Sequence, residues 1–272
     1  MNALGIIKAI RDKIPLIDCI TNNVTINDCA NILLACGASP TMAKDIREVG
    51  EIAAKSGAVV LNLGAIEYFD SMIAAAKSAN AAKVPVVFDP VAAGASQLRI
   101  ESCKKLLESA EISVIRGNIS EIKALCGHKC TAAGVDAAQS DLDGNDIDSA
   151  CEMAKSLSAK TGAVVVISGK TDIIADSSRT ALVKNGCPEM ARITGSGCML
   201  TALTGAFCAA RPENIFEAAV YATAAMGLCG ETARENMLAR GEGTASFRTY
   251  LIDAVSLLTD EKLEGGKKVE IR

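Results

Sequence analysis

The chain has 272 residues, half of them hydrophobic, with no Trp, 3% aromatic residues and a formal net charge of −4. That length supports one large α/β unit (residues 1–272) with a core of Ala, Val, Ile, Leu, Met and Cys. The acidic balance argues against nucleic acid or an anionic membrane as main partner, so no nucleic acid and no membrane are expected, and any bound phosphate must be held by local donors and a metal.

Met1 to Lys13 reads as an amphipathic helix and not as a signal sequence. Pro15–Ile20 reads as a strand ending in the polar turn Thr21-Asn22-Asn23, which can cap a helix over Ile26–Cys36 that stops at Gly37. Ser39–Ala43 is a short extended piece, followed by a helix over Asp45–Ser56. A strand Ala58–Leu63 ends at Gly64, a helix spans Ile66–Ala82, and a strand Val84–Phe88 leads into the loop Asp89–Gly94. A helix over Gln97–Ser109 precedes the strand Ile112–Ile115, which ends at Arg116-Gly117-Asn118, and Ser120–Leu125 is helical.

From Gly127 to Asp143 the composition turns polar and Gly-rich, as in a surface excursion. A helix over Ile147–Lys160 leads to the strand Ala163–Ile167 and its end Ser168-Gly169-Lys170. Asp172–Ala175 and Thr180–Val183 read as two strands of an antiparallel edge, and Asn214–Met237 and Thr244–Leu258 as helices. The charged residues Asp260–Arg272 read as a loose tail. Strands alternating with helices, with continuous β-branched runs, imply a mostly parallel sheet covered on both faces, a three-layer α/β/α class with an antiparallel edge.

Eleven cysteines, mostly inside apolar runs, are expected to be reduced thiols of a cytoplasmic protein. Cys126, His128 and Cys130 sit close in sequence, but their spacing is not a usual zinc pattern and no fourth ligand is evident. The uncharged run Ile193–Ala210 is interrupted by glycines and hydroxyl residues, so it reads as a buried helix and not as a membrane span.

In a parallel sheet ligands gather outside the carboxyl ends of the strands. Asn22, Gly64, Asp89, Arg116 and Ser168 all follow strands and should line that edge. The stretch Thr194-Gly195-Ser196-Gly197-Cys198 opens a helix whose free amides and positive end suit a phosphate; tight packing of small residues is the alternative. Asp89 and Glu121 together suit Mg²⁺, although Asp89 could cap its turn and Glu121 could only balance a helix dipole. Arg116 suits phosphate oxygens, or else a surface salt bridge. Cys198, in the first turn of that helix, is expected to have a lowered pKa and to serve as a weak base, unless it is one more buried thiol.

The strings Ile20-Thr21-Asn22, Gly37 to Ala43, Leu61-Asn62-Leu63-Gly64, Phe88 to Gly94, Arg116 to Ile122 and Thr194 to Leu200 resemble, in order, those of the hydroxyethylthiazole kinase family of the ribokinase-like superfamily. The resemblance implies a ribokinase-like fold and ATP-dependent phosphorylation of the hydroxyl of 4-methyl-5-(2-hydroxyethyl)thiazole, with Mg²⁺ as cofactor. It also implies a homotrimer with the thiazole site at subunit interfaces. By matching position, Met42, Gly195, Asn22 and Gly64 would bind the thiazole alcohol, and Arg116, Ser168, Thr194 and Gly197 the ATP. Asp89 and Glu121 would serve the metal, and Cys198 would stand where most of the superfamily has an aspartate base. One departure is Lys170, where the family commonly has an acid after Ser/Thr-Gly. A hydroxymethylpyrimidine or pyridoxal-type kinase is the related alternative. A Rossmann oxidoreductase would need a glycine fingerprint after the first strand, where this chain has Thr21-Asn22-Asn23, and a non-catalytic nucleotide sensor would release no ADP.

Overall fold

Short runs such as Ala58–Asn62, β-branched and apolar up to Asn62 and buried along their whole length, are interior strands, and they build the sheet of this protein. A computed structural model describes residues 2–127 and 144–272. In chain order it shows α1 (Ile6–Lys13), β1 (Leu16–Ile20), α2 (Ile26–Cys36), β2 (Ser39–Thr41), α3 (Val49–Lys55), β3 (Ala58–Asn62) and α4 (Phe69–Ala81). Then follow β4 (Val86–Asp89), α5 (Gln97–Ser109), β5 (Val114–Asn118), α6 (Ile119–Leu125), α7 (Gly144–Thr161) and β6 (Val164–Ser168). The remainder is β7 (Asp172–Ala175), β8 (Thr180–Val183), α8 (Ser196–Ala210), α9 (Ile215–Ala239), α10 (Thr244–Ser256), α11 (Asp260–Gly266) and β9 (Val269–Ile271).

The nine strands form one sheet in the order β2-β1-β3-β4-β5-β6-β7-β8-β9. From β2 to β6 every pair is parallel; β6-β7, β7-β8 and β8-β9 are antiparallel. Helices cover both faces. Residues of α1, α2, α8, α9 and α10 pack on one side, around Phe207, Tyr221 and Phe247. Residues of α3, α4, α5 and α7 pack on the other, around Met72, Phe88 and Leu106. At about 1.5–3 kcal/mol for each fully buried aliphatic or Phe side chain, these two layers are the main stabilising term.

The expected three-layer arrangement holds, with local changes: β4 and β5 lie one to three residues later than expected, so that Asp89 and Arg116 belong to the strands, and two helices begin late. Asp45 accepts hydrogen bonds from the Arg47 amide and guanidinium, closing a turn, so the next helix begins only at Val49. A 3-10 segment over Leu63–Tyr68, with non-helical φ/ψ at Ala65, precedes α4, which therefore begins at Phe69 and not at Ile66.

The expectation of a loose tail from Asp260 to Arg272 is overturned. Residues 260–266 form α11, and Val269–Ile271 pairs with β8, so β9 and not the β7–β8 hairpin is the outer edge. Its charged residues are what an edge strand carries: Glu270 pairs with Lys184 at 2.8 Å and with Arg272 at 2.7 Å. The Asp260 carboxylate accepts from the amides of Ile7 and Lys8, and Glu264 accepts from that of Ala3. The opening of α1 is thus capped from the far end of the chain. The polar stretch after Gly127, with His128 and Cys130, lies outside the described residues. Among them, no helix is long and apolar enough to cross a membrane.

Candidate active site

The parallel strands β1, β3, β4, β5 and β6 end along one edge, with Asn62 beside Asp89 and Asn118 beside Ser168 in the ladder. The start of α8 meets that edge near β4. Asn22, just past β1, uses its Oδ1 to accept from the amides of Val24 and Thr25, both at 3.1 Å, and so fixes the turn into α2. Its Nδ2 donates to Asn62 Oδ1 at 3.2 Å and to Cys198 Sγ at 3.6 Å. Asn62 ends β3 and donates in turn to Asp89 Oδ2 at 3.4 Å and to Cys198 Sγ at 3.3 Å. A side chain on Gly64 would put its Cβ 2.6 Å from Asn62 Oδ1 and 3.0 Å from Asn22 Cβ. Glycine is therefore needed for the two asparagines to meet.

Asp89 is fully buried at the end of β4. Its Oδ2 accepts from Thr201 Oγ1 at 2.7 Å and faces Arg116 Nη1 at 3.6 Å, while Oδ1 has no partner. Burial raises its pKa, against the pull of Arg116 and Thr201. Glu121 completes a capping box with Asn118 at the start of α6. One oxygen accepts from the Asn118 amide at 2.8 Å, and the other from Ala92 at 2.9 Å. That second bond holds Ala92, at φ +57°, in the left-handed conformation. Burial first, then the neighbouring Asp89, push Glu121 up to about 7. The two carboxyls raise one another's cost of ionisation, and Asp89 Oδ1 is a buried acceptor that no protein donor satisfies, even with Arg116 facing the other oxygen. With hydrating waters and phosphates completing the shell, such a pair suits a hard divalent cation.

Arg116, on β5, donates from Nη2 to Ser168 Oγ at 2.7 Å, joining β5 to the end of β6. Asp172, after the next turn, accepts from the Gly169 amide at 2.9 Å and so holds the backbone behind Ser168. Burial raises Asp172 to about 7, with Gly169 and Arg116 opposing. Gly195 caps α8 with φ +84°, and a Cβ there would lie 2.8 Å from Thr25 Cγ2. The cap offers no side-chain acceptor, so the first amides of this 15-residue helix are available to an anion. Thr194 is exposed beside it. Met42 lies past the end of β2, partly buried, on the side of the sheet that also receives Cys198.

The expectation of an acidic Cys198 thiol is corrected. Burial, then Asp89, raise its pKa, and the opposing effects of Thr25, Arg116 and Asn62 do not reverse this. The asparagine pair, Asp89, Arg116 and Cys198 do converge. Met42 shares only the face of the sheet with Cys198, and neither Met42 nor Thr194 makes a hydrogen bond to the cluster. Three residues escaped the sequence reading. Asn62 could have been found as the one polar side chain of an all-buried strand. Thr201 gave no local signal, because its partner Asp89 is distant in sequence, and Asp172 reads only as the first residue of a strand although its partner Gly169 is close by.

A model of the "Hydroxyethylthiazole kinase family" matches residues 7–261. A protein of Clostridium acetobutylicum named hydroxyethylthiazole kinase is 47% identical over 264 residues, 96% of each chain. The solved structure of a hydroxyethylthiazole kinase protein from Pyrococcus horikoshii superposes with a TM-score of 0.87 at 32% identity, over 99% of this chain and 98% of that one. A ribokinase-like superfamily protein from Enterococcus faecalis superposes with a TM-score of 0.60 at 13% identity, covering 92% and 89%, and bears on the fold alone.

Proposed function

The chain belongs to the hydroxyethylthiazole kinase family, and we propose that it transfers the γ-phosphoryl group of ATP to the hydroxyl of 4-methyl-5-(2-hydroxyethyl)thiazole, in thiamine biosynthesis or salvage. The observation that carries this reading is the convergence of Asn22, Asn62 and Asp89 on Cys198, in the first turn of a helix with uncapped amides.

The thiazole ring sits between Met42, Asn22, Gly64 and Gly195, with its hydroxyl toward Cys198. The γ-phosphate lies over the amides at Gly197 and Cys198, and Arg116, Ser168 and Thr194 hold the remaining phosphates of ATP. Asp89 and Glu121 would hold Mg²⁺, which when bound neutralises phosphate charge. Asn62 ties the Asp89 carboxylate to Cys198 and so fixes the acceptor hydroxyl relative to the phosphate. The substrate O–H proton passes to Cys198 Sγ as the new P–O bond forms and the bond to ADP breaks. A thiol with a raised pKa is mostly protonated at neutral pH, so its first task is orientation, and the small thiolate fraction is the base. A loose phosphoryl-transfer transition state asks little of a base.

Residues 1–272 act as one kinase domain, in the reducing cytoplasm that eleven cysteines favour. We further propose a homotrimer with the site at the subunit contacts. Val24, 73% exposed next to Asn22, and Ile46, 54% exposed beyond Met42, supply apolar surface for a neighbouring subunit. A pyridoxal or hydroxymethylpyrimidine kinase is less well supported, because the full-length relatives carry the thiazole name. The test is ADP release from ATP and Mg²⁺ with each alcohol in turn. Release with the thiazole alcohol alone is expected, and release only with a pyrimidine or pyridoxal alcohol would overturn the assignment.

A further inference from the structure

A carboxyl in the middle of an interior strand is an expensive choice. Asp18, the third residue of β1, is fully buried, and its Oδ2 has no partner. Its Oδ1 accepts the Ala43 amide at 3.0 Å. The pairing of β1 with β2 ends opposite it, at Thr41. Beyond that residue the edge strand has no further ladder partner, and Asp18 supplies the next acceptor from its side chain. A second tie follows at once, from Ser71 Oγ to the Lys44 carbonyl at 2.8 Å.

Both ties lie on one face of the sheet. Ala43 packs there with Ile20 and Leu61, whereas its neighbour Met42 packs on the opposite face, the one that receives Cys198. Successive residues of an extended chain point to opposite faces. Fixing the Ala43 amide on the α4 side therefore directs Met42 to the α8 side. An apolar residue at position 18 would leave this segment, at the open edge of the sheet, held after Thr41 only by the Ser71 tie.

We propose that Asp18 is a positioning residue for the acceptor substrate: through the Ala43 amide, and together with Ser71, it sets Met42 against the thiazole ring. This rests on the reading above that Met42 contacts that ring. Its distinguishing mark is a split between the two substrates, because nothing in this chain of contacts reaches the phosphate-binding groups.

The experiment measures kcat and both KM values for Asp18→Val, Asp18→Asn, Met42→Ala and the Asp18→Val/Met42→Ala pair. Asp18→Val keeps shape and strand preference but removes the acceptor, and should raise KM for the thiazole alcohol about tenfold while KM for ATP stays within about twofold. Asp18→Asn keeps an acceptor oxygen and should stay within about threefold of the parent. In the Met42→Ala background Asp18→Val should add less than about twofold, since it acts through that side chain. If Met42→Ala raises the thiazole KM and folded Asp18→Val does not, the Asp18 proposal falls and the Met42 reading stands. If Met42→Ala changes nothing, that reading falls and the proposal with it. Should Asp18→Val not fold, Ser71→Ala decides: a rise in the thiazole KM alone supports the proposal, and no rise or an equal rise in both overturns it.

Discussion

The guanidinium of Arg116 occupies the space that any side chain on Gly197 would enter: a Cβ there would lie 2.5 Å from Nη1 and 3.2 Å from Cζ. The arginine lies against the first turn of α8 while reaching Ser168 on β6 and Asp89 on β4. One cation thereby links two strand ends to the helix start, and the glycine at position 197 is a condition for it.

Gly197→Ala should displace Arg116 and lower kcat/KM at least about tenfold, equivalent to about 1.4 kcal/mol, with a small change in Tm. Gly195→Ala should lower Tm as well, because φ +84° and the contact with Thr25 oppose a side chain. Full activity of Gly197→Ala would show that the glycine has no part in seating Arg116. Steady-state kinetics beside thermal melts check both.

Cys198→Ser replaces a raised-pKa thiol by a far less acidic hydroxyl and should lose rate, about tenfold. Cys198→Ala loses the partner of both asparagine amides and should lose at least as much. Cys198→Asp presents a carboxylate to the same Asn22 and Asn62 donors and should stay active, despite the proximity of Asp89. Parent-like turnover of Cys198→Ala would remove the residue from the mechanism.

Asp89→Asn and Glu121→Gln should each lower turnover at least about tenfold, and the pair less than the product, since the two carboxyls share one environment. The Mg²⁺ concentration for half-maximal rate should rise in both, and chelation with EDTA should stop the parent. Unchanged Mg²⁺ dependence in both variants would separate these residues from the metal.

Asp18 gives a stability prediction with a definite sign. Burial raises its pKa from 3.8 to about 7, so the folded state holds this proton more tightly than the unfolded chain does. Its contribution is complete below about pH 4 and is lost as pH rises towards 7, by up to about 1.4 kcal/mol per pH unit. Urea unfolding at pH 5 and pH 7.5 should show a shallower decline for Asp18→Asn than for the parent. Identical declines would show that Asp18 does not titrate between these values.

The parallel strands were legible because burial on both faces demands unbroken apolar runs, and Gly37 announced the end of α2. The edge strand β9 was not, because three residues alternating around Glu270 resemble a charged terminus. The cluster was legible at Asn22, Asp89 and Cys198, which end or follow recognisable strands or stand at a glycine turn, and at Arg116, which reads as following a strand and lies within β5. The sequence shows the helix that should acidify Cys198, but not the burial beside Asp89 that outweighs it. Asp18 was hidden for a similar reason: its partner is the Ala43 amide, and a backbone group leaves no trace in composition.

The cap on α1 carries a consequence for biosynthesis. The amides of Ala3, Ile7 and Lys8 are made well before their partners on Glu264 and Asp260, which are more than 250 residues downstream. Until residues 260–264 are made α1 has an uncapped end, and β8 has an unpaired edge until Val269–Ile271 arrives. The nascent chain can assemble β1 to β6 before this, but the cap of α1 and the pairing of β8 wait for residues 260–271. Termination before residue 260 would leave an open strand edge at β8 and an uncapped α1 on an otherwise built sheet, a species for chaperones and proteases to recognise.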